Sequence, residues 1–327
     1  MRIGIIGAGW IAAQHVERLG RIEGADLAGV SDLDVERAAA IAGGAPVHED
    51  WRELIERERP DAVFVCTPPL THCEIAVTAL HHHVHVYLEK PIARGMEDAR
   101  TIVEAAARSD AVCAVGYQYR GIDVLDDLRA ELAGQQLGLV TSTGTGPTQS
   151  RPWFLDRAQG GGNLLERASH QIDLERAIAG EVVAVQAAAT RVPLAQSAGE
   201  TGDIEDAAAI VLHFAAGGVG SVQIAWTRDG LPSHYSLDVL GTDSSLHLEL
   251  DPDFTLTGRS GGHDVHATAR SHPADRTIRR FLEAASAGAR GEVFCTPVDA
   301  AGTLAVVLAC EQAVADGGTV AVAPLAG

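Results

Sequence analysis

The sequence predicts an α/β protein in two parts: an amino-terminal doubly wound parallel sheet, then a carboxy-terminal α+β domain on an open, predominantly antiparallel sheet. Three observations carry that expectation. Up to about residue 119, continuous apolar runs alternate with segments of helical period, the pattern of buried parallel strands covered by helices on both faces. After a helix-like stretch at 122–132 the chain turns to segments of alternating polarity, the signature of half-buried strands. The length of 327 residues suits two domains better than one. Residues 1–119 are assigned to the first domain and 120–327 to the second.

In order, the apolar runs fall at 3–6, 27–30, 62–65, 84–88 and 111–115, with helical spacing at 11–22, 35–42, 74–80 and 96–107. The second domain shows strand-like segments at 182–190, 207–214, 220–226 and 235–240, with Gly217-Gly218 and Gly241-Thr242-Asp243 as turns. A long helix is expected at 163–179 after Gly160-Gly161-Gly162, and two more near 276–287 and 300–314. Residues 260–273, rich in Gly, His and Ser, read as an exposed loop.

Composition narrows the function. The chain is 46% apolar and 21% charged, ordinary for a globular protein. Its 25 Lys and Arg against 44 Asp and Glu give a net charge of −19, the wrong sign for a surface that neutralises nucleic-acid phosphates. The most apolar stretch, 300–315, is interrupted by Glu311 and Gln312, so no membrane span is expected. The opening Met1-Arg2 runs straight into an apolar strand without a leader-like pattern, which points to the cytoplasm. Five cysteines with no CxxC pair read as reduced, buried thiols. His81-His82-His83 with His85 lacks companion ligands at metal spacing, and no metal is assigned.

The chemistry begins at Gly7-Ala8-Gly9-Trp10-Ile11-Ala12, a G-x-G-x-x-A segment between the first strand and the first helix. Gly7 permits the tight turn, Gly9 lets a pyrophosphate approach the backbone, and Ala12 keeps helix and strand close; the helix N-terminus supplies donors and positive dipole. Gly7, Gly9, Trp10, Ile11 and Ala12 are therefore expected at a dinucleotide, in a Rossmann arrangement. Asp32, at the end of the second strand, is placed to accept both hydroxyls of the adenosine ribose and to repel a 2′-phosphate. Its neighbours Ser31, Leu33 and Asp34 offer no cation, so NAD is expected over NADP. Capping of the following helix is the other role open to Asp32.

Further motifs follow in order: Cys66-Thr67-Pro68-Pro69 with His72, then Leu88-Glu89-Lys90-Pro91-Ile92-Ala93, then Gly160-Gly161-Gly162-Asn163-Leu164-Leu165-Glu166 leading to His170 and Asp173. With the glycine motif, Glu205-Asp206 and Leu240-Gly241-Thr242, this series resembles the glucose-fructose oxidoreductase, inositol dehydrogenase and MocA family over essentially the whole chain. The resemblance implies hydride transfer between a nicotinamide and a hydroxyl or keto carbon of a sugar, inositol or related cyclic polyol. It further implies a catalytic group of Lys90, His170 and the residue matching the family's aspartate, here Glu166, with a cis Lys90–Pro91 bond. Cofactor contacts are implied at Thr67, Pro68, Pro69, His72, Glu89, Lys90 and Gln118, and substrate contacts at Lys90, Arg120, Trp153, Glu166, His170 and Asp173. A homo-dimer or homo-tetramer built on the second sheet is also implied. The family's usual aspartate is replaced by the longer Glu166, and a glycine often found soon after it by Ala168.

The residues support that chemistry independently. On an α-helix Glu166, His170 and Asp173 fall at i, i+4 and i+7, one face, with Arg167 and Gln171 pointing elsewhere. An imidazole between carboxylates suits removal of a hydroxyl proton as hydride leaves carbon, and Lys90 would stabilise charge developing on the oxygen. Two alternatives stay open: retained NAD used for transient oxidation during elimination or glycoside cleavage, and a non-catalytic NAD-binding regulator.

Overall fold

Strands β1 (Arg2–Ile6), β2 (Asp26–Ser31), β3 (Val47–His48), β4 (Ala62–Val65), β5 (His85–Leu88) and β6 (Cys113–Val115) form a parallel sheet in the order β3-β2-β1-β4-β5-β6. The computed structural model describes residues 1–147, 155–192 and 204–324. Helices Trp10–Leu19, Val35–Ala42, His72–His81 and Met96–Arg108 connect the strands, within a residue or two of the periodicities in the sequence except at Ile11–Ile22. Strand order reverses at β1, which lies between β2 and β4, and open α/β sheets bind ligands beyond the carboxyl ends of the strands at such a point.

The chain separates into two compact units, Met1–Gln118 with Ala274–Ala301, and Tyr119–Pro273 with Gly302–Gly327. The sequence reading ran 120–327 as one piece, yet Ala274–Ala301 groups with the first unit. The reason is packing: Ile278 and Phe281 of the helix Pro273–Ala287 join Ile3, Ile5, Phe64 and Tyr87 in one buried cluster. Phe64 stacks on Tyr87 with ring centres 4.7 Å apart, and Phe281 meets both edge-on at 5.7 and 5.5 Å. Aromatic pairs of this kind contribute about 1 kcal/mol each beyond their buried area.

In the second unit β7 (Leu137–Pro147), β8 (Val182–Thr190), β9 (Ala207–Phe214), β10 (Val219–Thr227), β11 (His234–Gly241), β12 (Ser244–Glu249), β13 (Thr255–Ser260), β14 (His263–Thr268) and β15 (Thr319–Ala321) form one sheet. Its order is β14-β13-β12-β11-β7-β10-β9-β8-β15, and every pair except β7–β10 is antiparallel. The expected loop at 260–273 is corrected: β13 and β14 pair through the two-residue turn Gly261-Gly262, both at positive φ (52° and 81°), the geometry a tight hairpin demands. β14 is an edge strand without a buried residue, which is why alternation failed to mark it. The helix Pro297–Asp316 is long and apolar enough to cross a bilayer, but Leu304, Val307 and Cys310 along it are fully buried within the protein.

Candidate active site

At the carboxyl ends of β1 and β4 the glycine turn takes the shape its sequence calls for. Gly7 sits at φ 89°, and a Cβ there would lie 2.8 Å from the backbone of Cys66, so no other residue fits. A Cβ on Gly9 would meet nothing of the protein within 4 Å, leaving the backbone open to an approaching group. Gly9 caps the helix Trp10–Leu19 without a side-chain hydrogen bond, Ala12 is fully buried behind it, Ile11 is half-buried and Trp10 is 54% exposed.

Asp32 faces this turn. Its Oδ2 accepts from the Ala8 amide at 2.6 Å and its Oδ1 from the Asp34 amide at 2.9 Å. Capping belongs instead to Asp34, which accepts from the Arg37 amide at 3.0 Å. The Arg37 guanidinium, absent from the sequence argument, grips both Asp32 oxygens, Nη2 to Oδ1 at 2.5 Å and Nε to Oδ2 at 3.3 Å. Burial pushes the Asp32 carboxyl up, but the Arg37 bond and the two amides outweigh it and hold it below the usual range. Glycine turn, open backbone, helix N-terminus and strand-end carboxylate together fit a dinucleotide.

The next two loops of the same unit carry Thr67, Pro68, Pro69, His72, Glu89 and Lys90. Thr67 and Lys90 are half-buried, Pro68 is exposed and Pro69 buried. His72 is not a surface group: it is 0% exposed, with Nδ1 2.9 Å from the Pro91 carbonyl and Nε2 2.9 Å from that of Thr67. It ties the loop after β4 to the loop after β5, which corrects the expectation of a cofactor contact. A neutral ring donates to only one of these carbonyls, and burial drives its pKa down despite the pull of both. Glu89 is also an internal anchor: Oε1 meets buried His15 Nε2 at 2.7 Å, Oε2 accepts from the Lys90 amide at 3.3 Å, and a Cβ at Gly116 would come within 3.1 Å of it. Burial raises the Glu89 pKa, but His15 and then Lys90 more than offset this and leave it lowered. The Lys90–Pro91 bond is cis, and Gln118 is half-buried at the unit's end.

In the second unit Gly161 and Gly162, at φ 88° and 89°, turn the chain into the expected helix. Glu205 receives the Leu164 amide at 2.7 Å and pairs with Arg157. The first turn, Leu164–Ala168, is a π-helix and only Ser169–Ala179 is α, so the expected i, i+4, i+7 face is not kept. Between residues 161 and 176 every residue is buried except Glu166 and His170. Arg167 turns the other way, between the sheet strands, donating to the carbonyls of Gly144, Gly146, Pro147 and Ala225 while stacking 3.8 Å over Trp226. Asp173 is the second correction. It is 1% exposed, its oxygens accept from Arg120 Nε at 2.8 Å and Nη2 at 2.9 Å, and Thr303 adds a third bond at 2.8 Å. Arg120 and Asp173, expected at substrate, are thus a buried pair locking the helix that carries His170, whose ring lies 5.4 Å from that of Tyr119. Trp153 lies outside the described residues.

Sequence reasoning missed Arg37, His15 and the anchoring role of Arg167. Arg37 was detectable, since the first turn of a helix opening at the strand end lies beside that end. His82, His83 and His85 line a cavity of about 640 Å³ at the amino ends of β4 and β5, away from the glycine turn. Among the described residues no group of three or more His, Cys, Asp or Glu is placed to hold a metal.

The family profile described as "Oxidoreductase family, NAD-binding Rossmann fold" matches residues 1–117, and the one described as "GFO/IDH/MocA C-terminal domain" matches 133–247. Inositol 2-dehydrogenase 2 of Saccharopolyspora erythraea is 31% identical over 98% of this chain and 94% of its own length. Myo-inositol 2-dehydrogenase of Thermotoga maritima is 30% identical over 68% of this chain and 67% of its own. A solved structure of levoglucosan dehydrogenase with NADH and L-sorbose superposes with a TM-score of 0.86 over 99% of both chains; at 20% identity it speaks to the fold alone.

Proposed function

The chain belongs to the Gfo/Idh/MocA oxidoreductase family, and from that premise we propose that it is an NAD-dependent dehydrogenase or reductase acting on a CH–OH carbon of a sugar, inositol or related cyclic polyol. One observation carries the reading most: Asp32 stands at the end of β2 with its carboxylate on the Ala8 amide of the glycine turn, at the point where the strand order reverses. Bound NAD supplies the hydride acceptor. Gly7, Gly9 and the helix N-terminus hold the pyrophosphate and Asp32 the ribose diol, while Thr67, Pro68 and Gln118 flank the cofactor. Glu89 and His72 act behind that surface, holding the loops in place.

His170 takes the hydroxyl proton as hydride leaves, Lys90 stabilises the developing negative charge, and Glu166 orients the imidazole or a substrate hydroxyl. The reading is supported by Glu166 and His170 being the two solvent-reaching residues of an otherwise buried segment. Arg120 and Asp173 act through the helix they fix.

The protein works in the cytoplasm as a homo-dimer or homo-tetramer, without nucleic acid or membrane. Ala207, Ala209 and Val211 of β9 and Val219 of β10, which reach solvent on alternate positions, support assembly through the sheet. Light scattering at micromolar concentration tests it, and a strict monomer refutes it. The activity is tested by NADH absorbance with a panel of inositols, hexoses and sugar acids. NADH formation with one or more of them is the expected result; conversion without NADH release would assign transient oxidation with retained NAD, and tight NAD binding without conversion a regulatory role.

A further inference from the structure

The Asp32 carboxylate is already full. An ionised carboxylate offers about four acceptor positions. Here they are met by the Ala8 amide, the Asp34 amide and the two guanidinium nitrogens of Arg37. The amides are fixed by the glycine turn and the helix start. The guanidinium is not: the Arg37 side chain is 52% exposed whereas that of Asp32 is 8% exposed, so Arg37 is the partner free to move. A ribose diol that bonds to Asp32 therefore competes with Arg37 for the same oxygens.

We propose that Arg37 sets how sharply this site separates NAD from NADP, by yielding Asp32 to an unmodified ribose and by pairing with the phosphate when the 2′-hydroxyl carries one. The inference rests on the crevice beyond β1 being the NAD site. The physical basis is a charge balance. Beside a lone Asp32, a 2′-phosphate of charge near −2 would meet only repulsion. With Arg37 in reach, the same phosphate meets a planar fork of donors suited to bidentate pairing. With the 3′-hydroxyl donating to an Asp32 oxygen, the neighbouring 2′-substituent comes within the sweep of a guanidinium that touches the same carboxylate. Arg37 thus weakens the preference for NAD from both sides, costing the diol a competitor and giving the phosphate a partner. Asp34 and Glu36 are the other charged groups at this helix start, and Asp34 spends an oxygen on the Arg37 amide while the guanidinium bonds to Asp32.

The test is the dissociation constants of NADH and NADPH, read from cofactor fluorescence, which needs no substrate and no turnover. Arg37→Ala should weaken NADPH about tenfold or more, the order of one lost charge-assisted hydrogen bond, while NADH binds as well as before or more tightly. Arg37→Lys, which keeps the charge and loses the fork, should fall between, and the salt dependence of NADPH binding should flatten in Arg37→Ala. A ratio of NADPH to NADH constants unchanged or lowered by Arg37→Ala overturns the proposal. Asp32→Ser separates the two failures. If it leaves NADH binding unaltered, the site itself has been misread; if it weakens NADH while Arg37→Ala leaves the ratio unmoved, only the role of Arg37 is lost.

Discussion

Replacing Arg120 with alanine asks whether Asp173 is a strut inside the fold. The Asp173 side chain is 1% exposed and that of Arg120 11%, so solvent screens the pair poorly. Two of the three donors on Asp173, at 2.8 and 2.9 Å, belong to Arg120, and the third is the Thr303 hydroxyl at 2.8 Å. Arg120→Ala leaves an ionised carboxylate in the interior with that one neutral donor. Breaking a buried pair from one side costs about 3–5 kcal/mol, mostly the penalty of the stranded charge. In a domain of this size 1 kcal/mol moves the melting temperature by about 2–4 °C, so calorimetry should record a fall of roughly 10 °C. Adding Asp173→Asn removes the charge, and the double variant should regain part of the loss, a coupling that a thermodynamic cycle reads directly. If Arg120→Ala melts within a few degrees of the wild type, or the double variant is no better than the single, the pair is not what holds this helix.

Shortening Glu166 to aspartate should lower kcat/KM for the true substrate by around 10²-fold, since about an ångström of misplacement carries such a penalty, with NAD affinity unchanged; equal kcat/KM would make Glu166 structural. Glu175 is buried beneath the sheet, and burial pushes its carboxyl well above the ordinary range, only partly offset by the Ser142 hydroxyl at 2.6 Å. The unfolded chain releases this proton above about pH 4.3 while the folded one keeps it, so the contribution is intact below that pH and erodes as pH rises. Glu175→Gln should therefore gain on the wild type as pH rises above about 5 in denaturant titrations, by about 1.4 kcal/mol per pH unit at most, and a pH-independent gap would refute the buried acid. His15→Ala strands Glu89, which is 12% exposed at the side chain, and should cost about 3–5 kcal/mol, with partial recovery in His15→Gln because an amide can still donate; full stability in the alanine variant would show that the pair carries no weight.

The first unit was largely legible because its signals are local. Strands β1, β4 and β5 are buried on both faces and so read as unbroken apolar runs, and the glycine turn lies where strand passes into helix. β7 escaped notice although it is central, because Gly144 and Gly146 make room for Gln171 and Tyr235, and Thr141, Ser142, Thr143 and Thr145 fill most of the other positions after Val140. The buried helix at 276–287 was seen as a helix but given to the wrong unit, since nothing in its own sequence says that Phe281 packs on Phe64. At the site, Glu166 and His170 come from the family resemblance with helical spacing as support, but an α-helical wheel cannot anticipate a π turn, and it puts Asp173 on their face when the chain buries it against Arg120. For His72 the family resemblance implies a cofactor contact, whereas its two carbonyl bonds are visible only in three dimensions.

The central claim is hydride transfer to NAD from a carbinol carbon, and isotope transfer tests it most directly. A cyclic polyol that the protein converts, deuterated at its carbinol carbons, is incubated with the protein and NAD, and the cofactor is recovered, released or still bound, for mass spectrometry. The account predicts deuterium on the nicotinamide, with the yield collapsing by about 10²-fold or more in His170→Ala while NAD binding holds. Conversion of the polyol with no deuterium in any recovered cofactor would contradict it.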